Sequence, residues 1–253
     1  MRRGAALALV LAIGTACGSG GFFRQYEYEE EIYLSLDGSA TVYVNSSVPA
    51  LNALRGASFD TSPNARLDLA RVSALYETTV THVSRVAQSR RSNRRFVHVR
   101  LEVADVRRLG EAAPFAWSTY EFKRDGNLYV YRQTIGPSAG KPVGDVGWTG
   151  QELVAFRLHL PSKVRYHNTT PDNPKRGNIV VWEQTLNERL HGKPLGRDQR
   201  GLDARMDPES ILYWTLQLFG ATFAAVAITF GALIWWILRR GRRLEKKALE
   251  ARG

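Results

Sequence analysis

The sequence predicts an α+β domain of antiparallel β-hairpins and short helices, joined to one C-terminal transmembrane helix. Three observations predict it. Runs of alternating apolar and polar residues recur between residues 26 and 206, several paired across Gly-containing turns. Short helical patterns fall between those runs, as in a mixed antiparallel domain. Residues 211–238 then form an apolar stretch in which Gln217 is the one strongly polar side chain.

The chain opens with Met1-Arg2-Arg3 and an apolar run over residues 5–16. That run is too short to span a bilayer and reads as a secretory signal peptide, residues 1–16, followed by a linker, 17–25. Two processing routes are open. Small residues Gly14 and Ala16 suit ordinary signal peptidase, while Thr15-Ala16-Cys17-Gly18 resembles a bacterial lipobox that lipidates Cys17. Cys17 is the single cysteine in the chain, so an intrachain disulfide is impossible and the domain relies on its apolar core.

The exported domain is expected over residues 26–208. Tyr26, Tyr28, Ile32, Leu34 and Leu36 share one parity of a strand, and Asp37-Gly38 turns it into a second strand with Ala40, Val42 and Val44. Glu29-Glu30-Glu31 reads as a solvated strand edge. A short helix over 48–55 ends at Gly56, and Ser62-Pro63 is expected to start another that runs to about residue 77. Residues 80–87 and 96–103 form a second hairpin, and Asp105 caps a short helix. Residues 117–123 and 128–135 form a third hairpin around Asp125-Gly126-Asn127. A Gly/Pro-rich loop fills 136–150. A strand over 154–160 is interrupted at Pro161 and extended by 164–167. A strand over 179–184, a helical turn over 186–191 and a last strand over 202–206 complete the domain.

The transmembrane helix is expected over 209–238 and a basic cytoplasmic tail over 239–253. Trp214 and Trp235 lie 21 residues apart, roughly 32 Å of helix, close to the hydrocarbon thickness of a bilayer. The Arg-Arg-Gly-Arg-Arg run after Leu238 places the C-terminus in the cytoplasm and the domain outside the inner membrane. Gly220, Ala224, Ala227 and Gly231 form a stripe of small residues suited to close approach of a second helix, either another copy or a partner subunit.

The net charge of +11 invites a nucleic-acid reading. Arg2, Arg3 and the tail, with seven basic against two acidic residues, account for +7 of it, so most of the excess records topology and nucleic acid is not expected. The remaining basic cluster holds Arg90, Arg91, Arg94 and Arg95. It reads as a solvated hairpin tip or as a contact for anionic lipid headgroups. Five histidines show no metal spacing; His98 and His159 read as solvated strand positions. No Gly-x-Ser-x-Gly elbow and no phosphate loop occurs, and no catalytic residue, metal or cofactor is expected. Trp117, Trp148, Trp182, Tyr129, Tyr131 and Phe156 serve as ordinary core or line a ligand cavity.

Several stretches resemble the LppM-like family of bacterial envelope proteins, best known as actinobacterial lipoproteins. They are the first strand with Asp37-Gly38, Phe156-Arg-Leu-His-Leu-Pro-Ser-Lys-Val164, Asn168, Gly177-Asn178-Ile-Val-Val-Trp182, and Leu202-Asp-Ala-Arg-Met206 before a terminal membrane helix. The resemblance implies an exported, barrel-like domain with an apolar cavity for lipid or glycolipid, and it brings no catalytic residues. The functional expectation is a membrane-anchored, non-enzymatic envelope protein that binds lipid or glycolipid or scaffolds a partner. The alternative is an accessory subunit recruited through its membrane helix.

Overall fold

The computed structural model describes residues 26–170 and 176–250, with side chains to residue 242. Among the described residues, ten strands form two sheets. The first contains, in spatial order, β3 (Thr81–Arg91), β4 (Arg94–Val103), β2 (Ala40–Ser47), β1 (Tyr26–Leu34), β7 (Leu153–His159) and β9 (Ile179–Thr185). The second contains β5 (Ser118–Asp125), β6 (Leu128–Ile135), β10 (Leu202–Ser210) and β8 (Ser162–His167). The three predicted hairpins are present. Neighbours are antiparallel except β1 and β7, which run parallel because β7 arrives late in the chain on the open side of the first hairpin. Both sheets keep free edges, so the barrel-like closure implied by the family resemblance does not occur.

At Pro161 the chain leaves one sheet for the other. Residues 164–167 therefore belong to a separate strand, β8, rather than extending β7. The last strand is longer than its apolar pattern, reaching Ser210 through Pro208. Pro208 is tolerated because β6 pairs only as far as Met206 and the β8 register shifts between Met206 and Ser210.

Four α-helices accompany the sheets among the described residues. In α1 (Val48–Arg55) the Ser47 hydroxyl accepts from the Ala50 N–H, Pro49 sits in the first turn, and Gly56 closes the end at φ +74°. Every residue of α1 is buried. The 136–150 loop covers it, with Ala139 and Gly140 N–H donating to the Leu54 and Ala53 carbonyls. Helix α2 (Leu69–Tyr76) begins at Asp68, whose carboxylate accepts from Ala70 and Arg71 N–H. The Ser62-Pro63 start is thereby corrected: the cap adjoining the periodic apolar residues prevails, and Pro63 opens only a turn. Asp105 caps a short 3-10 turn, Val106–Glu111. Helix α3 (Leu186–Leu190) carries a Thr185/Glu188 capping box. Helix α4 (Ile211–Glu250) follows β10 without a linker.

The two sheets share one apolar core, and a polar knot lies inside it. Glu30 of β1 is 1% exposed. Its carboxylate accepts from Arg55 at 3.2 Å, from the Tyr28 hydroxyl at 3.0 Å, from Gln133 at 2.7 Å and from the Tyr120 hydroxyl at 3.3 Å. The reading of Glu29-Glu30-Glu31 as a solvated edge is therefore wrong at its centre. β1 lies between β2 and β7, and Glu30 shares the inward parity of Tyr28 and Ile32. Burial holds the Tyr28 and Tyr120 hydroxyls protonated, pushing both well above the ordinary tyrosine range, with the nearby Glu30 charge adding to the shift.

Glu30→Ala strands the Arg55 guanidinium in the core and is expected to cost about 3–5 kcal/mol. Urea unfolding of the full chain in detergent checks it. A midpoint equal to the parent's would show that the knot is not needed for stability.

Candidate functional site

The β3–β4 hairpin turns on Ser92 and Asn93, both in the left-handed region at φ +49° and +57°, the geometry of a two-residue hairpin. The residues around this turn part company. Arg90 and Arg91 are exposed; Arg91 lies over the Phe96 ring and donates to the Tyr26 carbonyl at 2.5 Å. Arg94 and Arg95 are only 6% and 5% exposed. Arg94 donates through Nε and Nη2 to Glu27 at 3.1 and 2.8 Å, and through Nη1 to the Val146 and Gly147 carbonyls. Arg95 donates to the Ala65 and Asp60 carbonyls. The expected four-arginine lipid contact is corrected accordingly: half of it is internal structure.

Glu27 is a second buried glutamate, and its parity conceals it. A register irregularity between Tyr26 and Tyr28 turns the Glu27 side chain inward, where it also accepts from Trp148 Nε1 at 3.0 Å. The Glu27–Arg94–Trp148 cluster thus ties the hairpin and the 143–152 segment to the start of β1.

Above this cluster lies a cleft of about 780 Å³. Thr61, Ser62, Asn93, Asp145, Thr149 and Glu152 give it hydroxyl, amide and carboxylate groups. Burial pushes the Glu152 carboxyl up, but N–H donation from Thr149 and Gly150 outweighs it and holds the group below the usual carboxylate range. Arg94 is already committed to Glu27 and two carbonyls. Glu152 is likewise committed to the Thr149 and Gly150 N–H groups, so hydroxyl and amide groups with the Asp145 carboxylate are what the cleft offers, a chemistry that suits a neutral, hydroxyl-rich ligand better than a phosphate.

Strand directions place this cleft far from α4. Ile211 N–H donates to the Pro161 carbonyl, next to the end of β7. Tyr26 pairs with Leu153 at the other end of β7, about 20 Å away at 3.3 Å per residue. The arginine turn lies at that remote end. Tyr26 and Ser210 thus sit at opposite ends of the strands.

The remaining candidates are dispersed. Cys17 lies outside the described residues, as do the signal peptide and linker. Gly220, Ala224, Ala227 and Gly231 are all exposed on α4, and a Cβ at Gly220 or Gly231 would meet no atom within 4 Å. Helix α4 contains a candidate membrane span, Ile211–Arg242, with none of its most apolar window buried. Tyr131, Phe156 and Trp182 are core residues, with Trp182 Nε1 donating to Asn168 at 2.9 Å. His98 and His159 are half-buried rather than solvated. His98 bridges Asn45 and Ser89, and His159 stacks on Tyr33 and bonds Glu31 at 2.6 Å. Among the described residues no group of three His, Cys, Asp or Glu is placed to hold a metal ion.

No protein-family model matches the chain, and no curated protein matches it. A similar solved structure is the NMR structure of the folded domain of the Mycobacterium tuberculosis LppM protein. It is 12% identical, with a TM-score of 0.42 over 75% of this chain and 95% of that one. The likeness is a distant one, of fold.

The two arginines that flank the hairpin turn are expected to behave oppositely. Arg94→Ala leaves Glu27 buried without its counter-ion and should lower stability by about 3–5 kcal/mol. Arg91→Ala should leave the urea midpoint of the full chain nearly unchanged. Equal effects would contradict the burial difference.

Proposed function

We propose that this chain is a single-pass, non-enzymatic envelope protein whose extracytoplasmic domain recognises a saccharide-like group, such as the headgroup of a glycolipid. The observation that carries the reading is the polar cleft at the end of the domain remote from α4. It has the volume of a small-molecule site, which typically runs from about 300 to 1,000 Å³. Apart from Arg94, which is paired with Glu27 at its floor, its donors and acceptors are neutral or acidic. The uncovered apolar surface of α4 supports the membrane anchor, and the basic run after Leu238 supports a cytoplasmic C-terminus at the inner membrane. The buried carboxylates Glu27 and Glu30 are engaged in structural bonds, which favours binding over catalysis.

Ser62 is exposed on the rim of the cleft and apart from the Glu27–Arg94 pair. Ser62→Trp should fill the cleft without disturbing its floor. Mass spectrometry of glycans and glycolipids that co-purify with the full chain in detergent is expected to find a species retained by the parent and reduced at least tenfold in the variant. Equal recovery from both proteins would remove the cleft from consideration.

A second reading rests on α4 itself. Its stripe of small residues is open along the helix, a surface suited to a second transmembrane helix and hence to recruitment into a complex. Gly220→Leu combined with Gly231→Leu is expected to abolish self-association in a membrane two-hybrid assay. An unaltered signal, or none in the parent, would rule out self-association through this face.

A further inference from the structure

The outer face of the first sheet carries a row of polar side chains that crosses its strands. Asn45 of β2 pairs with His98 of β4 on one side and with Glu29 of β1 on the other. Beyond Glu29 lies β7, which brings Arg157, and beyond His98 lies β3, which brings Ser89. Val97, Val99, Val44, Ser46, Tyr28 and Glu30, the chain neighbours of the three central residues, are buried, so the row faces away from the core. The side chains meet end to end. Ser89 Oγ is 2.8 Å from His98 Nε2, and His98 Nδ1 is 2.8 Å from Asn45 Oδ1. Asn45 Nδ2 is 3.1 Å from Glu29 Oε2, and Glu29 Oε1 is 3.0 Å from Arg157 Nη2.

The direction of these bonds follows from the far end of the row. The Glu29 carboxylate, paired with Arg157, is an acceptor, so it takes the Asn45 amide N–H and turns the Asn45 carbonyl oxygen toward His98. That oxygen fixes the proton of a neutral imidazole on Nδ1 and leaves the Nε2 lone pair facing Ser89. The Ser89 hydroxyl therefore donates to Nε2. Burial, and then the nearby Arg91 charge, hold the His98 pKa below its ordinary value, so the imidazole is a free base at neutral pH. Serine, base and orienting amide stand in the order that activates a hydroxyl as a nucleophile. Ser89 itself is exposed. Arg91, two residues on and lying over Phe96, places a cation near His98, which favours an oxygen that gains negative charge there.

We propose that Ser89 is a covalent modification site, a nucleophile that accepts one acyl group from an activated ester, with His98 as general base and Asn45 and Glu29 as positioning residues. The Ser89 oxygen bonds to the acyl carbon as the bond from that carbon to the ester's alcohol or thiol breaks. The Ser89 proton passes to His98 Nε2 and from there to the departing oxygen or sulfur. One chain accepts one acyl group, so the transfer modifies the chain and involves no turnover. Ser89, His98, Asn45 and Glu29 lie outside the lining of the polar cleft, and the proposal does not depend on what the cleft binds.

The test treats the full chain in detergent with p-nitrophenyl acetate and follows acetylated peptides by mass spectrometry. Ser89 is expected to be acetylated about a hundredfold faster than the other serines of the domain, the scale of a general-base effect. His98→Gln should remove that advantage, while Ser84→Ala, on the same strand, should keep it. Asn45→Ala, which frees the imidazole to turn, should slow the reaction and leave its dependence on pH in place. In the parent the rate should fall as His98 takes up a proton, on the acid side of the ordinary histidine range, a step that a merely structural row would not show. Should His98→Gln fail to fold, this pH profile decides. Equal acetylation of all serines, an unchanged Ser89 rate in His98→Gln, or a parent rate flat through the titration of His98 would overturn the proposal.

Discussion

The buried Glu30 carboxylate is the constraint on which the rest of the structure depends. Its four partners come from β1, α1, β5 and β6, so one side chain joins both sheets and the central helix. Such a knot adds little stability over an apolar packing of the same volume. Its effect is on specificity. A one-residue slip of β1 would turn both Glu29 and Glu31 into the core, where Arg55, Tyr120 and Gln133 could serve only one of them, and would expel Tyr28 and Ile32. The parallel pairing of β1 with β7 and the antiparallel pairing with β2 are therefore selected by the same residue.

The same logic extends to the remote end of the domain. Glu27 faces inward because of the irregularity at the start of β1, and Arg94 meets it after the tight Ser92-Asn93 turn. Tyr26 bonds outward to Glu183 at 2.6 Å and its carbonyl accepts from Arg91. The start of the strand is thus pinned by charge-assisted bonds on both of its faces. The 143–152 segment has no regular structure, yet Arg94, Trp148 and Glu152 give it fixed attachments. A loop held in this way can present polar groups in a fixed arrangement, which is what a recognition surface requires.

Much of the fold was legible because hairpins and capped helices are local. Asp37-Gly38 and Asp125-Gly126 mark turns, and Ser47-x-Pro49 and Gly56 bracket α1. The charged interior was harder to see, because burial is decided by neighbours far along the chain. Glu30 did carry a signal, since it shares parity with Tyr28 and Ile32; reading three glutamates as one solvated patch hid it. Arg55 carried one too, ending a helix whose one other polar residue is Asn52. Glu27 carried none, because a strand irregularity cannot be read from alternation. Arg94 and Arg95 sit in a basic run whose members look alike in sequence, and only the turn decides which of them points inward.

Geometry also decides what the basic residues can meet. The exposed arginines of the hairpin lie about 20 Å from the start of α4, measured along β7. That is about two Debye lengths at physiological ionic strength, so attraction between the tip and a surface at the level of Ile211 is largely screened. At the junction Ser210 pairs with Ser162, and Ile211 N–H bonds the Pro161 carbonyl as the strand becomes helix. The strand-to-helix junction therefore does more than connect two parts. It sets the separation between the start of the helix and the cleft, and it leaves the arginine hairpin beside the cleft at the remote end of the strands.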